Sequence, residues 1–538
     1  MNAIEGYKLA WQLLLPETVL AVTILIVSLW SLFLPKLRVF TASLSFLGCI
    51  ISLCLLMIQE FSKPHALFGG LYTIDHLTII FGAFALVVGI VVVFMTSGYE
   101  KHLSGNVGEF YAIILTAVLA VMLLAGTTDL IMLFVAVETL TLCCVMLAGF
   151  SKRDKKSSEA SLKYLLSTAA ITATLLYGLS FIYGLTGSTN FYVIREQMTY
   201  LSMPPTSLLV FFMLVLVLSL IGFKLAAAPF HMWAPDVYEG APTPVTAFLS
   251  IGSKAGGFVV ALRLLMIVFR SSGPDWGLLL AVLAVISMVS GNLIALAQTS
   301  FKRMLAYSSI AHVGYILIGL VAAAQTTSAL QLENSLSSTV FYILVYGVMN
   351  LGAFAGAILF SNQTGSDLID DYAGLIKKRP ILALLMSVCL INLAGLPIPP
   401  AGFLAKFFIF TAGFSSPMLV FGQPVGFILV AVALITTIPA IFYYMRVVIK
   451  MIAQEPGPVV TALATEESDY ESSVQFGPRL ALVFCTVIIL AAGTILVDPV
   501  MSIAHRSIEP IAYRGNDLGV DSSSSNNGTN PPGHLLQY

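Results

Sequence analysis

Four ionisable residues lie inside long apolar segments of this chain. Glu138 stands in DLIMLFVAVETLTLCCVML, Lys224 in SLIGFKLAAAPF, Lys254 in SIGSKAGGF and Lys406 in AGFLAKFFIF. A charge in the hydrocarbon region of a bilayer costs roughly 2.5–3.5 kcal/mol even on a lenient insertion scale. Buried carboxyl and amino groups can take up and release protons, so these residues are candidates for a proton pathway.

Two of these residues, Glu138 and Lys224, also have a structural interpretation. Glu138 could be a carboxylate that is hydrogen-bonded to a neighbouring helix, and Lys224 could extend to the membrane surface or form a fixed salt bridge. The glycines around Lys254, which are Gly252, Gly256 and Gly257, allow close helix approach or a local bend. Both interpretations remain open for Glu138 and Lys224.

Prolines interrupt the helices beside two of the lysines. Pro229 follows Lys224, and the run LPIPP precedes Lys406. Proline removes a backbone donor, and the carbonyl groups that a broken helix exposes are tolerated in a membrane only where they line protein or a wet cavity. We therefore expect two discontinuous helices, each with one deep lysine, as in transporters that are built from inverted repeats.

Three further residues are secondary candidates. His312, in AYSSIAHVGY, could relay protons between its two ring nitrogens or could be a core histidine with satisfied hydrogen bonds. His231 lies beside Trp233, where an interfacial structural role is favoured. Lys163 follows Glu159 by one helical turn, and this pair alone could explain it.

Composition places the chain in a membrane. Its 538 residues are 58% hydrophobic and 10% charged, whereas soluble domains are about 25% charged. A net charge of -1 argues against nucleic-acid partners. All six cysteines lie in apolar runs, which favours buried thiols over metal ligands or disulfides, and no dinucleotide-binding glycine motif or P-loop is present.

Hydropathy predicts an all-α polytopic protein with about fourteen transmembrane helices, the first of which is a retained span and not a signal peptide. The predicted spans are 13–34, 39–59, 74–97, 109–126, 129–150, 160–184, 206–229, 241–270, 276–298, 303–323, 338–361, 380–414, 425–450 and 479–500.

The distribution of Lys and Arg predicts the orientation. Loops after odd-numbered spans carry at least twelve of them, including Lys152, Lys302 and Lys377, whereas loops after even-numbered spans carry three. Basic loops stay on the cytoplasm-like side, so both termini should face the opposite side. An acidic surface loop is expected at 451–478, a C-terminal transmembrane helix at 479–505 and a disordered tail at 506–538.

Several motifs resemble a known family. FKLAAAPFHMWAPDVYEGAPTPVTAFLS, SKAGGF, KRMLAYSSIAHVGY, YGVMNLGAF and LAGLPIPPAGFLAKF are similar to the antiporter-like subunit N, or subunit 2, of respiratory and photosynthetic complex I. The resemblance implies two inverted five-helix repeats and discontinuous helices 7 and 12. It divides the chain into an N-terminal three-helix segment (1–108), a first repeat (109–270) and a second repeat (271–450).

The resemblance also implies roles for residues. The family's glutamate of helix 5 matches Glu138, and its lysines of helices 7, 8 and 12 match Lys224, Lys254 and Lys406. Related subunits have histidines in their central polar axis, which makes His312 a stronger candidate for the proton pathway. The expected mechanism is a proton wire in which an ion pair between Glu138 and Lys224 opens and drives a proton toward Lys406.

The family implies that the redox chemistry lies in other subunits. No cofactor is expected on this chain, and quinone, NAD(P)H or ferredoxin, FMN and Fe–S clusters would belong to partner subunits. The expected partners are other membrane-arm subunits, further antiporter-like subunits among them, and membrane lipids. The membrane would be an energy-transducing one: a bacterial plasma membrane, a thylakoid or the mitochondrial inner membrane.

Two other functions fit the same residues. A freestanding monovalent cation/proton antiporter would have similar ion-handling side chains and would need no partners. A structural membrane scaffold would use the buried charges only to set helix register.

Overall fold

The chain folds into a bundle of long apolar helices. The computed structural model describes residues 11–33, 40–59, 64–103, 106–203, 205–326, 328–420, 423–463 and 475–513. In this part of the chain the helices and strands are, in order, α1 (Leu15–Phe33), α2 (Phe40–Ile58), β1 (His65–Leu67), β2 (Tyr72–Ile74), α3 (His76–Ser97), α4 (Val107–Gly126), α5 (Leu130–Ala148), α6 (Lys155–Thr186), α7 (Phe191–Leu201), α8 (Ser207–Leu225), α9 (Trp233–Gly240), α10 (Thr243–Phe248), α11 (Lys254–Arg263), α12 (Gly273–Leu296), α13 (Phe301–Ala324), α14 (Ala329–Thr364), α15 (Leu375–Lys378), α16 (Pro380–Ala394), α17 (Ala401–Phe414), β3 (Leu419–Val420), β4 (Gln423–Pro424), α18 (Val425–Ala453), α19 (Pro458–Thr461), α20 (Phe476–Thr494) and α21 (Val497–Tyr513).

The predicted fold class is confirmed. Among the described residues, thirteen helical segments are long and apolar enough to cross a membrane. The shorter apolar helices α16 and α17 stand where the twelfth span was predicted. Together they account for the fourteen predicted spans.

The two predicted interruptions are present. The seventh span ends as a helix at Leu225, where Ala226 adopts a left-handed conformation with φ of 56°, and α9 begins only at Trp233. The twelfth span is divided between α16 and α17 by the segment 395–400, which carries the three prolines. Both breaks lie beside the lysines that the sequence had singled out.

The C-terminal boundary differs from the prediction. A helix continues to Tyr513, across the boundary that was placed between 505 and 506. Hydropathy misses this helix because charged residues alternate with apolar ones along it: Asp498, Arg506 and Glu509 interrupt the run that contains the buried Ala504 and Ile508. The rest of the predicted tail, 514–538, lies outside the described residues.

The predicted acidic loop is described only in part. Glu455 forms an ion pair with Lys377 at the surface, and the short helix α19 follows it. The acidic residues Glu466, Glu467, Asp469 and Glu471 lie outside the described residues.

The connections gather at two ends of the bundle. At one end, the loop after the ninth span meets the loop after the eleventh in a β-bridge between Ser300 and Leu368. At the other end, the hairpin β1–β2 joins the following loops through bridges from Tyr72 to Thr127 and from Asp129 to Asn190. Successive spans therefore alternate in direction, as the sequence analysis requires.

The centre of the bundle is formed by three segments. The eighth span, Thr243–Val268, is buried along its whole length. Two short π-helices, Leu249–Ser253 and Leu264–Val268, flank α11 within it. This span carries Lys254, and α13 and α14, which are also largely buried, carry His312 and Tyr342.

Candidate functional site

Lys224 lies in the last turn of α8, directly before the break in the seventh span. Its side chain is 4% exposed, and its ammonium donates a hydrogen bond to the hydroxyl of Thr141 on α5 at 2.5 Å. A small apolar cavity adjoins it, with Leu140, Ile221 and Val260 in its wall. An ammonium without water must find its acceptors in the protein, and here a threonine supplies one.

Glu138 lies on the same helix, three residues before Thr141, and points toward α6. Its carboxylate accepts a hydrogen bond from the hydroxyl of Thr172 on α6 at 2.6 Å. The residue is half-buried and shares this side with exposed apolar residues at helical spacing. They are Ile131, Val135, Leu142 and Met146.

The expected ion pair between Glu138 and Lys224 is wrong for this structure. No ion pair within 4 Å joins the two residues, although both are described. The reason is geometric, because Glu138 faces outward toward α6 while Lys224 meets α5 one turn further along, at the buried Thr141.

Lys254 begins α11, immediately after a π-helical turn. Its ammonium is 1% exposed and donates to the carbonyl oxygen of Ser309 at 3.1 Å and to the hydroxyl of the same residue at 3.0 Å. The nearby Gly257 confirms the expected close approach. A Cβ built on it would lie 3.1 Å from Cβ of Lys224, so a larger residue would push α11 away from α8.

Lys406 lies on α17, behind the break in the twelfth span. Its ammonium donates to the carbonyl oxygen of Ala394, the last residue of α16, at 2.9 Å. It also lies 5.1 Å from the centroid of the Tyr315 ring, within the range of a cation–π contact. The break therefore supplies the acceptor, because the end of α16 leaves carbonyl groups without helical donors.

His312 lies between Lys254 and Lys406 in the polar interior, on α13. Its Nδ1 is 2.9 Å from the hydroxyl of Tyr342, and its Nε2 is 3.4 Å from the hydroxyl of Tyr444. The ring stacks on Tyr346 with centroids 4.7 Å apart. Both ring nitrogens thus face hydroxyl groups, an arrangement in which a neutral imidazole can accept at one nitrogen and donate at the other.

A hydroxyl and amide network continues from the histidine. Tyr444 is hydrogen-bonded to Ser308, the residue before the acceptor of Lys254. Asn292 donates to the hydroxyl of Tyr315 at 2.8 Å and accepts from Tyr443 at 3.3 Å. These groups connect the surroundings of Lys254 with those of Lys406.

The sequence analysis missed these partners. Thr141, Thr172 and Ser309 are hydroxyl residues inside apolar spans, and Tyr315 and Tyr342 are aromatic residues in a segment rich in them. Such residues are common in membrane helices, where a hydroxyl can return its hydrogen bond to the preceding turn. Only the helix packing distinguishes the ones that face the lysines.

Lys163 and His231 lie away from this interior group. Lys163 forms ion pairs with Glu159 and with Asp236, both at 2.7 Å, so the expected pair with Glu159 is confirmed and a second partner is added. His231 is half-buried in the connection before α9, and burial lowers its pKa while a hydrogen bond with the Pro229 backbone opposes that change.

Lys163 belongs to an ionic network at one end of the bundle. Arg303 on α13 bridges Asp236 at 3.0 Å and Glu239 at 2.9 Å, and Lys156 also pairs with Glu239. Burial opposes the ionisation of Asp236, but hydrogen bonds from Lys163 and then Arg303 outweigh it and lower the pKa of this carboxyl. The network ties α6, α9 and α13 together around the broken seventh span.

A buried charge pair lies near the other end of the bundle. The guanidinium of Arg263 donates to both carboxylate oxygens of Asp75, at 3.1 and 2.9 Å, and to the carbonyl oxygen of Ala125 at 2.6 Å. Arg263 and Asp75 are 1% and 2% exposed. The sequence analysis did not single out either residue: Asp75 stands at the start of the predicted span 74–97, and Arg263 was passed over within the predicted span 241–270.

Redox groups have no evident ligands among the described residues. Their His, Cys, Asp and Glu side chains form no group of three or more that could hold a metal ion, and the cysteines are free thiols. The polar interior offers ammonium, imidazole, hydroxyl and carbonyl groups. Such a set can hold and transfer protons.

The chain is similar to known proteins over most of its length. Residues 127–434 match the family model described as NADH:quinone oxidoreductase/Mrp antiporter, transmembrane. The chain is 42% identical over 470 residues to NAD(P)H-quinone oxidoreductase subunit 2 of Prochlorococcus marinus subsp. pastoris, with 87% of this chain and 88% of that protein covered. It is 41% identical to the protein of the same name from Synechococcus sp. (strain JA-3-3Ab), with 93% and 91% covered.

A solved structure shares the fold and a good part of the sequence. A chain of respiratory complex I from Thermus thermophilus with bound aureothin is similar with a TM-score of 0.71 and 30% identity, over 91% of this chain and all of that chain. The family-model match, residues 127–434, spans both helix breaks and includes Glu138, Lys224, Lys254 and Lys406.

Proposed function

Because the chain belongs to the NADH:quinone oxidoreductase/Mrp antiporter family of transmembrane proteins, we propose that it is a proton-translocating membrane-arm subunit of a complex I-type NAD(P)H or ferredoxin:quinone oxidoreductase. The observation that carries the proposal is the set of buried ammonium groups. Lys224, Lys254 and Lys406 each donate to a neutral oxygen atom in the interior. Redox energy would come from quinone reduction in partner subunits, which would also hold the NAD(P)H or ferredoxin site, FMN and Fe–S clusters.

The neutral acceptors suit proton transfer. An ammonium that is hydrogen-bonded to a hydroxyl or carbonyl group can lose its proton without leaving a carboxylate unpaired, because the neutral amine keeps two N–H groups that can still donate to the same oxygen atom. A lysine that is locked to a buried carboxylate would hold its proton much more strongly. Among the described residues, none of the three lysines forms an ion pair with a carboxylate within 4 Å, which supports proton transfer over a fixed scaffold.

The proton path would run across the bundle. It would begin at Glu138, continue through Lys224 and Lys254, pass the hydroxyl groups of Ser308 and Tyr444 to His312, and reach Lys406. Waters would have to join the side chains that do not touch. His231 and Lys163 would stand outside the path, Lys163 as a surface ion-pair partner.

Glu138 indicates where a partner would attach. A carboxylate on an otherwise apolar outward stripe is costly against lipid, and contact with another protein would remove that cost. We propose that the side of α5 that carries Glu138, Val135 and Leu142 contacts a neighbouring membrane-arm subunit. A change of charge in that neighbour would then act electrostatically on Glu138 first and, through Glu138, on Lys224.

The experiment is proton pumping by the assembled complex. Replacing Lys254 with Met should abolish quinone-coupled proton movement, since Met keeps the length and removes the titratable group. Lys377→Met is the matched control, because Lys377 pairs with Glu455 at the surface and lies outside the path. Pumping by Lys254→Met at the control level would leave only the scaffold function.

The competing function within the same family is a freestanding monovalent cation/proton antiporter. It predicts that the chain, purified without partners and inserted in vesicles, exchanges sodium or potassium for protons. Such exchange by the isolated chain would overturn membership of an oxidoreductase complex. Co-purification of the chain with further antiporter-like subunits and with quinone reductase activity would instead support membership of an oxidoreductase complex. We propose an energy-transducing membrane as its location, either a bacterial plasma membrane or a thylakoid.

A further inference from the structure

A glutamate is buried near the start of the first span. Glu17 is the third residue of α1, and its side chain is 6% exposed. Its Oε1 accepts a hydrogen bond from the hydroxyl of Tyr72 in β2 at 2.9 Å. Its Oε2 is also buried and has no hydrogen-bond partner among the described residues. An ionised carboxyl group here would therefore keep one charged oxygen atom without a donor, which is costly in an apolar environment.

No cation among the described residues pairs with Glu17. α1 packs against α2 and α4, and the ionisable groups of α2 are only the thiols of Cys49 and Cys54. The ionisable groups of α4 are Glu109 and Tyr111, which lie about 16–20 Å from the turn of that helix that meets the hairpin β1–β2. The hydroxyl of the hairpin is thus the immediate polar neighbour of the carboxyl group.

Tyr72 lies between two acceptors. Besides Glu17, its hydroxyl can donate to the carbonyl oxygen of Met122 on α4, at 3.3 Å. The ring is fixed against Gly126, where an added Cβ would overlap it. Burial and then the charge of Glu17 raise the pKa of Tyr72 well above its usual value, so the hydroxyl keeps its proton. A hydroxyl has one proton to donate and lone pairs that can accept, so it donates to one of its two acceptors at a time.

These contacts suit two protonation states of Glu17. In the ionised state, Tyr72 donates to the carboxylate. In the neutral state, a proton from water forms an O–H bond at Oε1, this group donates to the oxygen of Tyr72, and Tyr72 donates to Met122. The proton of the tyrosine stays on its own oxygen and only changes its acceptor. Oε2 is then an uncharged carbonyl oxygen, which is less costly to bury than a charged one.

We propose that Glu17 is a proton-binding site that exchanges protons with the side of the membrane opposite the basic loops. The contact with Tyr72 places the start of α1 at the end of the bundle that carries the hairpin β1–β2. Trp11 and Leu15, near this start, are 64% and 43% exposed. Glu17 is two residues into the helix, about 3 Å along its axis, so the carboxyl group is buried close to that surface.

The site adjoins the buried ion pair at the end of the eighth span. Asp75 and Arg263 both interact electrostatically with Tyr72. Arg263 follows Lys254 by nine residues on α11, about 14 Å along the helix. Binding of a proton at Glu17 removes a negative charge near this pair. Acid on that side of the membrane would therefore act on the end of the span that carries Lys254.

The test is infrared difference spectroscopy on the full-length chain with the subunits that purify with it, in sealed vesicles. A neutral carboxyl group has a C=O stretching band that a carboxylate lacks. A shift from mildly alkaline to mildly acidic pH on the side opposite the basic loops should produce this band in the wild type and not in Glu17→Gln. Identical difference spectra of the two proteins would overturn the proposal.

Glu100 provides the matched control for the side of access. It also accepts from a tyrosine hydroxyl, that of Tyr111, at 2.8 Å, but it lies in the loop after the third span, at the end that carries the basic loops. Its band, assigned with Glu100→Gln, should respond to acid on that side. A Glu17 band that responds to acid only from the side of the basic loops would contradict the proposal.

Tyr72→Phe tests the shared hydroxyl and leaves Glu17 in place, so it remains informative if Glu17→Gln does not assemble. The ring still fits against Gly126, but the neutral acid loses the oxygen atom to which it donates. Its C=O band should move to a higher frequency. A band at the wild-type frequency would show that the proton of Glu17 does not meet Tyr72. None of these readouts depends on whether the chain moves protons across the membrane.

Discussion

The ammonium nitrogen of Lys224 lies 2.5 Å from the hydroxyl oxygen of Thr141. The same kind of contact occurs at the other two buried lysines, where Ser309 and the carbonyl group of Ala394 are the acceptors. All three lysines therefore hold their position through neutral oxygen atoms. If protons pass through them, each acceptor sets how well the charged lysine is tolerated, and each can be removed without removing the lysine.

Replacing Thr141 with Val tests the first contact. Val keeps the shape of Thr but leaves the buried ammonium short of one acceptor, a loss of about 1.5–3 kcal/mol for a hydrogen bond to a charged group. We expect quinone-coupled proton pumping by the assembled complex to fall about tenfold or more. Pumping would be measured with a pH-sensitive dye in sealed vesicles.

The matched control for this prediction is Thr139→Val on the same helix. The hydroxyl of Thr139 donates to the carbonyl oxygen of Val135 within α5 and does not touch a lysine. Its loss should leave pumping within about twofold of the wild type. Equal effects of the two substitutions would show that α5 tolerates valine poorly and that the contact with Lys224 is not the cause.

Replacing Tyr342 with Phe tests the histidine in the axis. The change removes the hydroxyl group that lies 2.9 Å from Nδ1 of His312 and keeps the ring. A lost neutral hydrogen bond of about 1 kcal/mol should slow pumping roughly fivefold. Tyr372→Phe is the control, because the buried hydroxyl of Tyr372 has no hydrogen-bond partner among the described residues. Full pumping by Tyr342→Phe would remove His312 from the proposed path.

The sequence predicted the spans, the breaks and the lysines because each of these features has a local cause. Apolar runs of about 20 residues indicate membrane-spanning helices, and a proline removes a backbone hydrogen-bond donor from a helix at any position. A charge in such a run is visible without any partner, which is how Glu138, Lys224, Lys254 and Lys406 were found. The breaks after Leu225 and at 395–400 follow from the same local rules.

The partners of these residues could not be predicted in the same way. Lys224 and Thr141 are 83 residues apart, and Arg263 and Asp75 are 188 residues apart. The sequence around Lys224 or Arg263 does not show which of the many hydroxyl or carboxyl groups in the chain will face that residue after the helices pack. The ion pair between Glu138 and Lys224 failed for this reason, because the direction of a side chain around its helix depends on the neighbouring helices. The amphipathic α21 was missed because its polar residues lower the mean hydropathy.

Gly395 controls the position of Lys406. Its φ of 81° is left-handed, and a Cβ there would lie 2.7 Å from Cδ and 2.8 Å from Nζ of Lys406. Gly395→Ala should displace this side chain and reduce pumping at least tenfold. Gly365→Ala is the control, because Gly365 has a similar φ of 68° but nothing within 4 Å of the added methyl group. Both substitutions put a Cβ on a left-handed residue, which costs roughly 1–2 kcal/mol of backbone strain. Equal pumping by the two variants would therefore mean that backbone strain, and not the displacement of Lys406, causes the loss.

Because of the ionic network at Asp236, the free energy of unfolding should depend on pH in the acidic range. Hydrogen bonds from Lys163 and Arg303 outweigh the effect of burial and lower the pKa of Asp236 below its ordinary value of 3.8. A lowered pKa contributes stability above the ordinary value, and that contribution is lost as the pH falls from 3.8 through the folded pKa. The side chain is partly exposed, so we expect less than about 1 kcal/mol.

The measurement is thermal unfolding of the purified protein in detergent between pH 5 and pH 3. Asp236→Asn should unfold at a lower temperature at pH 5 and should lose less stability than the wild type on acidification. Added salt should shrink the difference at pH 5, because it screens a partly exposed network. Parallel curves for wild type and variant across this range would show that Asp236 does not contribute.

The buried pair of Arg263 and Asp75 should matter for stability more than any surface pair. Asp75 has two roles, since its carboxylate also caps α3 by accepting from the backbone amide of Thr78. Asparagine is as good an N-cap as aspartate, so Asp75→Asn keeps the cap and removes only the charge. Arg263 would then be a buried charge without its counter-ion, and we expect a loss of about 3–5 kcal/mol.

Asp129 provides the matched comparison for this substitution. It is also buried and caps α5 through the backbone amides of Ile131 and Met132, but it forms no hydrogen bond or ion pair with any of the described arginines. Asp129→Asn should therefore change the denaturation midpoint little, by the equivalent of about 0.5 kcal/mol or less. Replacing Arg263 with Met in the Asp75→Asn background should recover much of the loss, since an apolar pair can stand in for a buried ion pair. Equal losses at Asp75 and Asp129, without recovery in the double variant, would mean that the arginine tolerates burial without its carboxylate.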